Sequence, residues 1–248
     1  MKHPLRTLLL AVCCGLAAAC TQRQERLKLM SYNIRNGIGI DNIQDIGRIA
    51  RVILREAPDL VALQELDSAT LRVDGRYIPG ELGRMTGMHA TFGRAIGFAG
   101  GSYGIGLLSR TEPLAVRSIP LPGREEARVL LMAEFPDYTV CITHLSLTPE
   151  DRLASLPIIR EATDTCRKPV LLAGDFNTGN AAAVLAGLGG GFRILSDTTR
   201  MTFPSDNPAV RIDYILGRGL PTSATVAESA VDHTATASDH CPLWVTLV

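Results

Sequence analysis

The sequence predicts an α/β (α+β) domain built on mixed rather than purely parallel β-sheet. Apolar runs of strand length alternate with stretches of helical spacing along most of the chain. The runs Val129 to Phe135 and Tyr138 to Thr143 are separated only by Pro136-Asp137, too short for a crossover helix, so they pair antiparallel. A chain of 248 residues with 46% hydrophobic content can bury one full core. No repeat, coiled coil or long linker divides it.

At the N-terminus Lys2 and Arg6 precede an apolar run from Leu8 to Ala19 that ends in small residues before Cys20, the pattern of an export signal. The run is shorter than the roughly 20 residues a spanning helix needs. Leu16-Ala17-Ala18-Ala19-Cys20 resembles a bacterial lipobox, with Ala17 where leucine is usual; Ala17-Ala18-Ala19 also suits ordinary signal peptidase. The expected layout is a signal over residues 1–19, a lipid anchor at Cys20 or simple cleavage, a polar tether over 20–26 and a folded domain over 27–248. The chain is then an exported envelope lipoprotein, or else a periplasmic or secreted protein. It is expected to be monomeric and to touch a membrane only through the N-terminal lipid.

The folded part opens with a strand over Leu27 to Ile34. Ile43, Ile46, Ile49, Ala50 and Ile53 follow at helical spacing, closed by Pro58, and a strand returns at Leu60 to Leu63. Further strands are predicted at Tyr103 to Leu108, Val129 to Phe135, Tyr138 to Thr143, Val170 to Ala173, Ile212 to Leu216 and Leu243 to Val248. A helix begins at Thr148-Pro149-Glu150-Asp151, where a capping hydroxyl, a first-turn proline and two acids suit the helix start, and runs to about Thr165. An alanine-rich helix follows Asn180 and stops at Gly187 or at Gly189 to Gly191. The glycine-rich stretches Gly97 to Gly106 and Gly187 to Gly191 read as loops. They lack the setting of a dinucleotide fingerprint or a phosphate-binding loop.

Removing Lys2 and Arg6 from the 25 basic residues leaves 23 against 25 acidic, a net charge of −2. With no dense Lys/Arg run, charge disfavours a nucleic-acid partner. Setting aside Cys13, Cys14 and Cys20 leaves Cys141, Cys166 and Cys241, an odd set that reads as isolated thiols rather than a disulfide framework. No Cys-x-x-Cys or His-Glu-x-x-His pattern supports a zinc site.

The polar residues that carry chemistry each follow or interrupt an apolar run, which sets them at strand ends along one rim. Asn33 follows Leu29 to Tyr32, and Glu65 follows Leu60 to Gln64; a hard cation is held by such oxygens. His144 ends Tyr138 to Thr143. In Gly174-Asp175-Phe176-Asn177 the glycine permits a sharp turn, with acid and amide two residues apart. Asp213 lies inside Arg211 to Leu216, where an ionised carboxylate needs a partner, and a histidine is the natural one. Asp239-His240 immediately precedes the last strand. Singly, each has an ordinary alternative: a solvated strand end, a structural histidine or an Asx turn.

Taken in order, Ser31-Tyr32-Asn33, Gln64-Glu65, Tyr103 to Ser109, Thr143-His144-Leu145, Gly174 to Asn177, Arg211 to Tyr214 and Ser238-Asp239-His240 resemble the segments of the endonuclease/exonuclease/phosphatase (DNase I-like) superfamily. That family includes nucleases, inositol polyphosphate phosphatases and neutral sphingomyelinases. The resemblance implies a four-layer sandwich, two mixed β-sheets face to face and flanked by helices, acting as a phosphoric ester hydrolase with Mg2+ or Mn2+. It implies Glu65 as principal metal ligand, assisted by Asn33 and Asp239. Asp175 and Asn177 would position the attacking water and a phosphate oxygen, His240 would be oriented by Asp213, and His144 would face the phosphate or leaving group. Asn33 and Arg128 would join Asn177 in binding phosphate, with a surface salt bridge as the alternative for Arg128. The residues leave open whether Asp175 or His240 is the base. A phosphodiesterase is the leading expectation, with an extracellular nuclease or a sphingomyelinase-like lipid phosphodiesterase as alternatives. A phospho-ligand-binding lipoprotein without catalysis is the reading from another class.

Overall fold

A computed structural model describes residues 26–248, so the predicted signal, Cys20 and most of the tether lie outside the described residues. In chain order these residues form β1 (Leu27–Asn33), α1 (Ile46–Glu56), β2 (Leu60–Ser68), α2 (Ile78–Thr86), β3 (His89–Phe98), β4 (Gly101–Ser109), β5 (Ala115–Leu121), β6 (Arg128–Glu134), β7 (Thr139–His144), α3 (Pro149–Asp164), β8 (Val170–Asp175), α4 (Ala181–Leu188), β9 (Arg193–Ile194), β10 (Asp213–Arg218), β11 (Val226–Val231) and β12 (Leu243–Leu247). They make two mixed six-stranded sheets, ordered β11-β12-β1-β2-β4-β3 and β5-β6-β7-β8-β10-β9.

The period-two alternation of the central strands sorts their side chains into layers. Leu29, Leu60, Ala62, Ile105 and Leu107 of the first sheet meet Val129, Leu131, Ile142, Leu171, Ala173 and Ile215 of the second between the sheets. The alternate residues of the first sheet, Met30, Tyr32, Val61 and Leu63, bury the apolar faces of α1 and α2. Leu130, Cys141, Leu172 and Tyr214 of the second do the same for α3 and α4. The result is a four-layer α/β sandwich. No helix among the described residues is long and apolar enough to cross a membrane.

Some local expectations change. The first helix starts at Ile46, with the Asp45 carboxylate capping the Arg48 N–H, and ends at Ala57 in the left-handed conformation, before Pro58 is reached. The stretch Gly97 to Gly106 is not a loop: Gly97-Phe98 ends β3, Ala99-Gly100 makes the hairpin turn, and β4 starts at Gly101. Gly174 makes no turn: it lies within β8, where a Cβ would stand 2.0 Å from the Thr143 carbonyl oxygen, so only glycine lets β7 and β8 approach there. Thr148 does not cap α3 with its hydroxyl, which donates instead to Glu125 Oε2 at 3.1 Å. Cys141, Cys166 and Cys241 are free thiols.

Glu125 orders the β7–α3 loop. Its carboxylate accepts from the Ser146 hydroxyl at 2.7 Å and the Leu147 N–H at 2.7 Å, besides Thr148. Burial opposes ionisation, but these hydrogen bonds outweigh it and hold the group down at about 2. A depressed acid contributes stability that is complete above its ordinary value of 4.5 and lost as pH falls through about 2. Glu125→Gln is therefore expected to lower stability at pH 7 by roughly 1–2 kcal/mol, allowing for solvent screening of a partly exposed group. Thermal melts of the two proteins should converge as pH falls from 4.5 toward 2; a gap independent of pH would refute this account.

Candidate active site

The strand registers bring the polar positions to one end of the sandwich. In the second sheet His144 is paired with Asp175 across the parallel β7–β8 ladder, and Asp175 with Asp213 across the antiparallel β8–β10 ladder. Three site residues thus stand in one row. In the first sheet Asn33 is paired with Gln64, next to Glu65, while Asp239 and His240 come just before β12, the other neighbour of β1.

Glu65 owes its aim to a β-bulge between Leu63 and Leu66, in which its φ is +58°. An extra residue in one strand re-aims its side chain at some expense in backbone strain. The partner strand accommodates the bulge with Gly106, where a Cβ would meet Leu66 Cδ2 at 2.5 Å. Asn177 also has positive φ, +51°, with its N–H on Asp175 Oδ1 at 2.8 Å and its Nδ2 on the Leu145 carbonyl at 2.8 Å. The turn expected at Gly174 is made here instead.

The two sheets are joined at the rim by Asn33, whose Nδ2 donates to Glu65 Oε1 at 3.0 Å and Asp175 Oδ2 at 3.1 Å. Its Oδ1 accepts the Arg35 N–H at 3.1 Å, and its backbone carbonyl accepts the Ser238 hydroxyl at 2.7 Å. Asp175 Oδ2 is also 3.5 Å from His144 Nε2 and 3.6 Å from His240 Nε2. Behind His240, Nδ1 lies 2.9 Å from Asp213 Oδ2, and Phe203 packs on the ring with centroids 4.8 Å apart. Asp239 pairs with Arg35 at 3.4 Å.

Burial and charge divide the two histidines. Burial, reinforced by Arg128 and His240, outweighs the pull of Asp175 and takes His144 down to about 4. Burial also works against a charged His240, but Asp213, Asp175 and Asp239 override it and push His240 up to about 10. The two rings are thus biased in opposite directions, His144 toward its neutral form and His240 toward the imidazolium. Burial, and then Asp213, raise Asp175 above the usual carboxylate range. Burial also raises Glu65, with the charges of Asp239 and Asp175 adding to it.

Arg128 lies at the same rim with His144, in the wall of a small cleft that also includes Tyr103 and Glu126. It is paired with Glu126 at 3.2 Å and Glu125 at 3.4 Å, but only 6% exposed, so this is no surface salt bridge. Tyr103, Arg35, Phe203 and the Glu125-Glu126 pair join the site without having been singled out as site residues. Tyr103 opens the family-like segment Tyr103 to Ser109 and Arg35 lies two residues past Asn33, each a signal in the sequence; Phe203 and the two glutamates follow no apolar run. A larger cavity, about 480 Å3, opens at the opposite end near Arg117 and Lys168, away from all these groups.

Comparison with known proteins agrees with this architecture. The chain resembles an endonuclease/exonuclease/phosphatase from Bacteroides vulgatus with 20% identity and a TM-score of 0.73, covering 91% of this chain and 99% of that one. A mannosyl-6-phosphatase from Bacteroides thetaiotaomicron is 19% identical with a TM-score of 0.71, over 90% and 99% of the two chains. TDP2 of D. rerio, solved with a single-strand DNA product, is 22% identical with a TM-score of 0.67, over 90% and 99%. No curated protein sequence matches the chain. The profile of the Endonuclease/Exonuclease/phosphatase family matches residues 30–240, and with a phosphoesterase or nuclease type of hydrolase as its common activity, the chain belongs to that family.

Proposed function

We propose that this hydrolase is an exported phosphodiesterase that works with Mg2+ or Mn2+. The observation that carries the reading is the convergence of Asn33, His144 and His240 on one oxygen of Asp175. Nitrogen donors around a buried carboxylate suit a site that holds a phosphate oxygen beside a water to be deprotonated.

The residues also fit a hard cation. Glu65 and Asp239 offer carboxylate oxygens, and the burial that raises Glu65, with the added repulsion of Asp239 and Asp175, is a cost that a bound cation would offset. Asp175, Asp213 and His240 have potential ligand atoms within 4.8 Å of one another, but His240 and Asp213 already occupy each other. We assign the ion to Glu65 and Asp239, with Asn33 fixing Glu65. When bound there it would withdraw charge from the phosphoryl group and the departing oxygen.

The other roles follow from charge. His240 is held toward its protonated form by Asp213, Asp175 and Asp239, which favours it as a donor to a phosphoryl oxygen over the role of base. Asp175 takes the proton of the attacking water. His144, neutral, donates one N–H to the phosphate, and Asn177 and Arg128 contribute from either side. Balanced charge and the lack of a basic row favour a substrate other than nucleic acid, unlike the DNA product of the TDP2 neighbour. The N-terminal run supports export, and cell fractionation of the full chain beside Cys20→Ser distinguishes anchor from release.

The test is hydrolysis of bis-p-nitrophenyl phosphate. Activity is expected with Mg2+ or Mn2+ and should disappear with EDTA. Turnover indifferent to EDTA would sink metal dependence, and cleavage of p-nitrophenyl phosphate alone would make the enzyme a monoesterase.

A further inference from the structure

The small cleft that His144 and Arg128 share measures about 10 Å3, close to the least that admits one water-sized group. Tyr103, Arg128 and His144 are hydrogen-bond donors in its wall, and Ile105 and Val129 add apolar surface. The acid in the wall, Glu126, has its Oε1 taken up by Arg128 Nη1 at 3.2 Å.

Tyr103 is built into this position. Two residues before Ile105 and four before Leu107, it shares their face of β4, the one turned to the second sheet. Its partner across the β2–β4 ladder is Asp67, wholly buried, whose Oδ2 accepts from Arg72 Nε at 2.7 Å. So fixed, the Arg72 guanidinium lies over the Tyr103 ring, 5.1 Å from its centroid, and over Phe98 at 4.6 Å, with the two rings 6.2 Å apart. The hydroxyl itself is uncommitted: no group among the described residues bonds it, and it is not sealed from solvent as the Tyr32 hydroxyl is. Burial, then the charges of Glu65 and Glu126, push the phenol well above the usual tyrosine range against the pull of Arg128 and Arg72, so it keeps a proton to donate.

We infer that the cleft receives one non-bridging oxygen of the scissile phosphate and that Tyr103 is a catalytic residue, donating its O–H to that oxygen beside Arg128 and His144. The inference rests on the phosphohydrolase reading above and gives a role to a group which that reading leaves without one. Donors fixed in advance around developing negative charge act most strongly where water is excluded. A cleft this narrow also discriminates by size, because sulfur is larger than oxygen and a weaker acceptor. A phosphorothioate diester is chiral at phosphorus, so only one enantiomer can place its oxygen in the cleft and keep its sulfur outside.

The experiment compares the full chain with Tyr103→Phe, which keeps the ring and its stacking and removes the hydroxyl alone. In calorimetric titration with inorganic phosphate, Mg2+ present, the variant is expected to bind about tenfold more weakly. Its kcat/KM on bis-p-nitrophenyl phosphate should fall roughly 10- to 100-fold, the range of one hydrogen bond to a charged group. Half-saturating Mg2+ should stay within about twofold and the melting temperature within about 2 °C, since neither the metal ligands nor the packing changes. With Mn2+, which tolerates sulfur better than Mg2+ does, the parent should cleave one enantiomer of methyl p-nitrophenyl phosphorothioate at least about tenfold faster than the other. Tyr103→Phe should bring the two within about threefold. Phosphate affinity unchanged in the variant, a loss of turnover that comes with a lower melting temperature, or an enantiomer preference that is absent or survives the substitution overturns the assignment. Diester hydrolysis by the parent with an indifferent Tyr103→Phe sinks the cleft and spares the enzyme reading. Phosphate binding that weakens in the variant, with no ester cleaved by the parent, does the reverse.

Discussion

Replacing Asp175 by asparagine is expected to lower kcat by about 10³-fold while raising the melting temperature by a few degrees. The two effects have one cause. Burial and the nearby Asp213 hold Asp175 above the usual carboxylate range. A group whose folded pKa is raised favours the fold at low pH and loses that contribution as pH rises through its folded value. At neutral pH the ionised form is therefore a burden on the fold, and asparagine removes it while keeping the shape and, with its oxygen in the Oδ2 position, the bond from Asn33, at the loss of the bond from the Asn177 N–H. The catalytic loss follows because the amide cannot accept a proton from water. His240→Ala should also remove activity, but with the opposite effect on stability, since Asp213 would be left buried without its 2.9 Å partner. Losing one partner of such a pair lowers stability by about 3–5 kcal/mol. Thermal melts of the metal-free proteins beside single-turnover rates make the comparison. An Asp175→Asn enzyme within about threefold of the parent would remove Asp175 as base.

How far the sequence reveals this molecule depends on where an element sits. The central strands, buried on both faces, announce themselves as continuous apolar runs: Val170 to Ala173 and Leu243 to Val248 need no further evidence. The strands without such a signal are β3, β5, β9 and β11, and these are the four sheet edges. An edge strand faces solvent along much of its length; β5 even carries Pro120, which an interior strand would exclude. α2 escapes for another reason: Gly80 and Gly83 dilute its pattern, and a Cβ at Gly83 would stand 2.8 Å from the Met88 carbonyl oxygen. At the site, residue identities were legible because each polar group follows an apolar run. Their mutual geometry was not. Nothing in Gln64-Glu65-Leu66 marks the bulge that turns Glu65 inward, and the opposite charge states of His144 and His240 depend on neighbours distant in the chain.

Glu65→Gln supplies the second large effect, on metal dependence, and it discriminates between two places for the ion. In the parent protein Mg2+ at about 100 times its dissociation constant should stabilise the fold by about 2.7 kcal/mol, or roughly 5–10 °C in a chain of this size. With Glu65 as principal ligand, Glu65→Gln abolishes that shift and raises the half-saturating metal concentration for turnover about 100-fold. The metal-free variant should melt slightly higher than the metal-free parent, because the substitution removes a carboxylate that burial, Asp239 and Asp175 disfavour. If the ion instead sat among Asp175, Asp213 and His240, whose ligand atoms already lie within 4.8 Å, Glu65→Gln would leave the Mg2+ shift intact and Asp213→Asn would erase it. The geometry argues for the first outcome: at that second site the ion would have to displace the His240–Asp213 hydrogen bond and compete with an imidazolium. At Glu65 and Asp239 it meets carboxylates of which, among the described residues, Asp239 has its ion pair with Arg35 at 3.4 Å, partly open to solvent, and Glu65 has none.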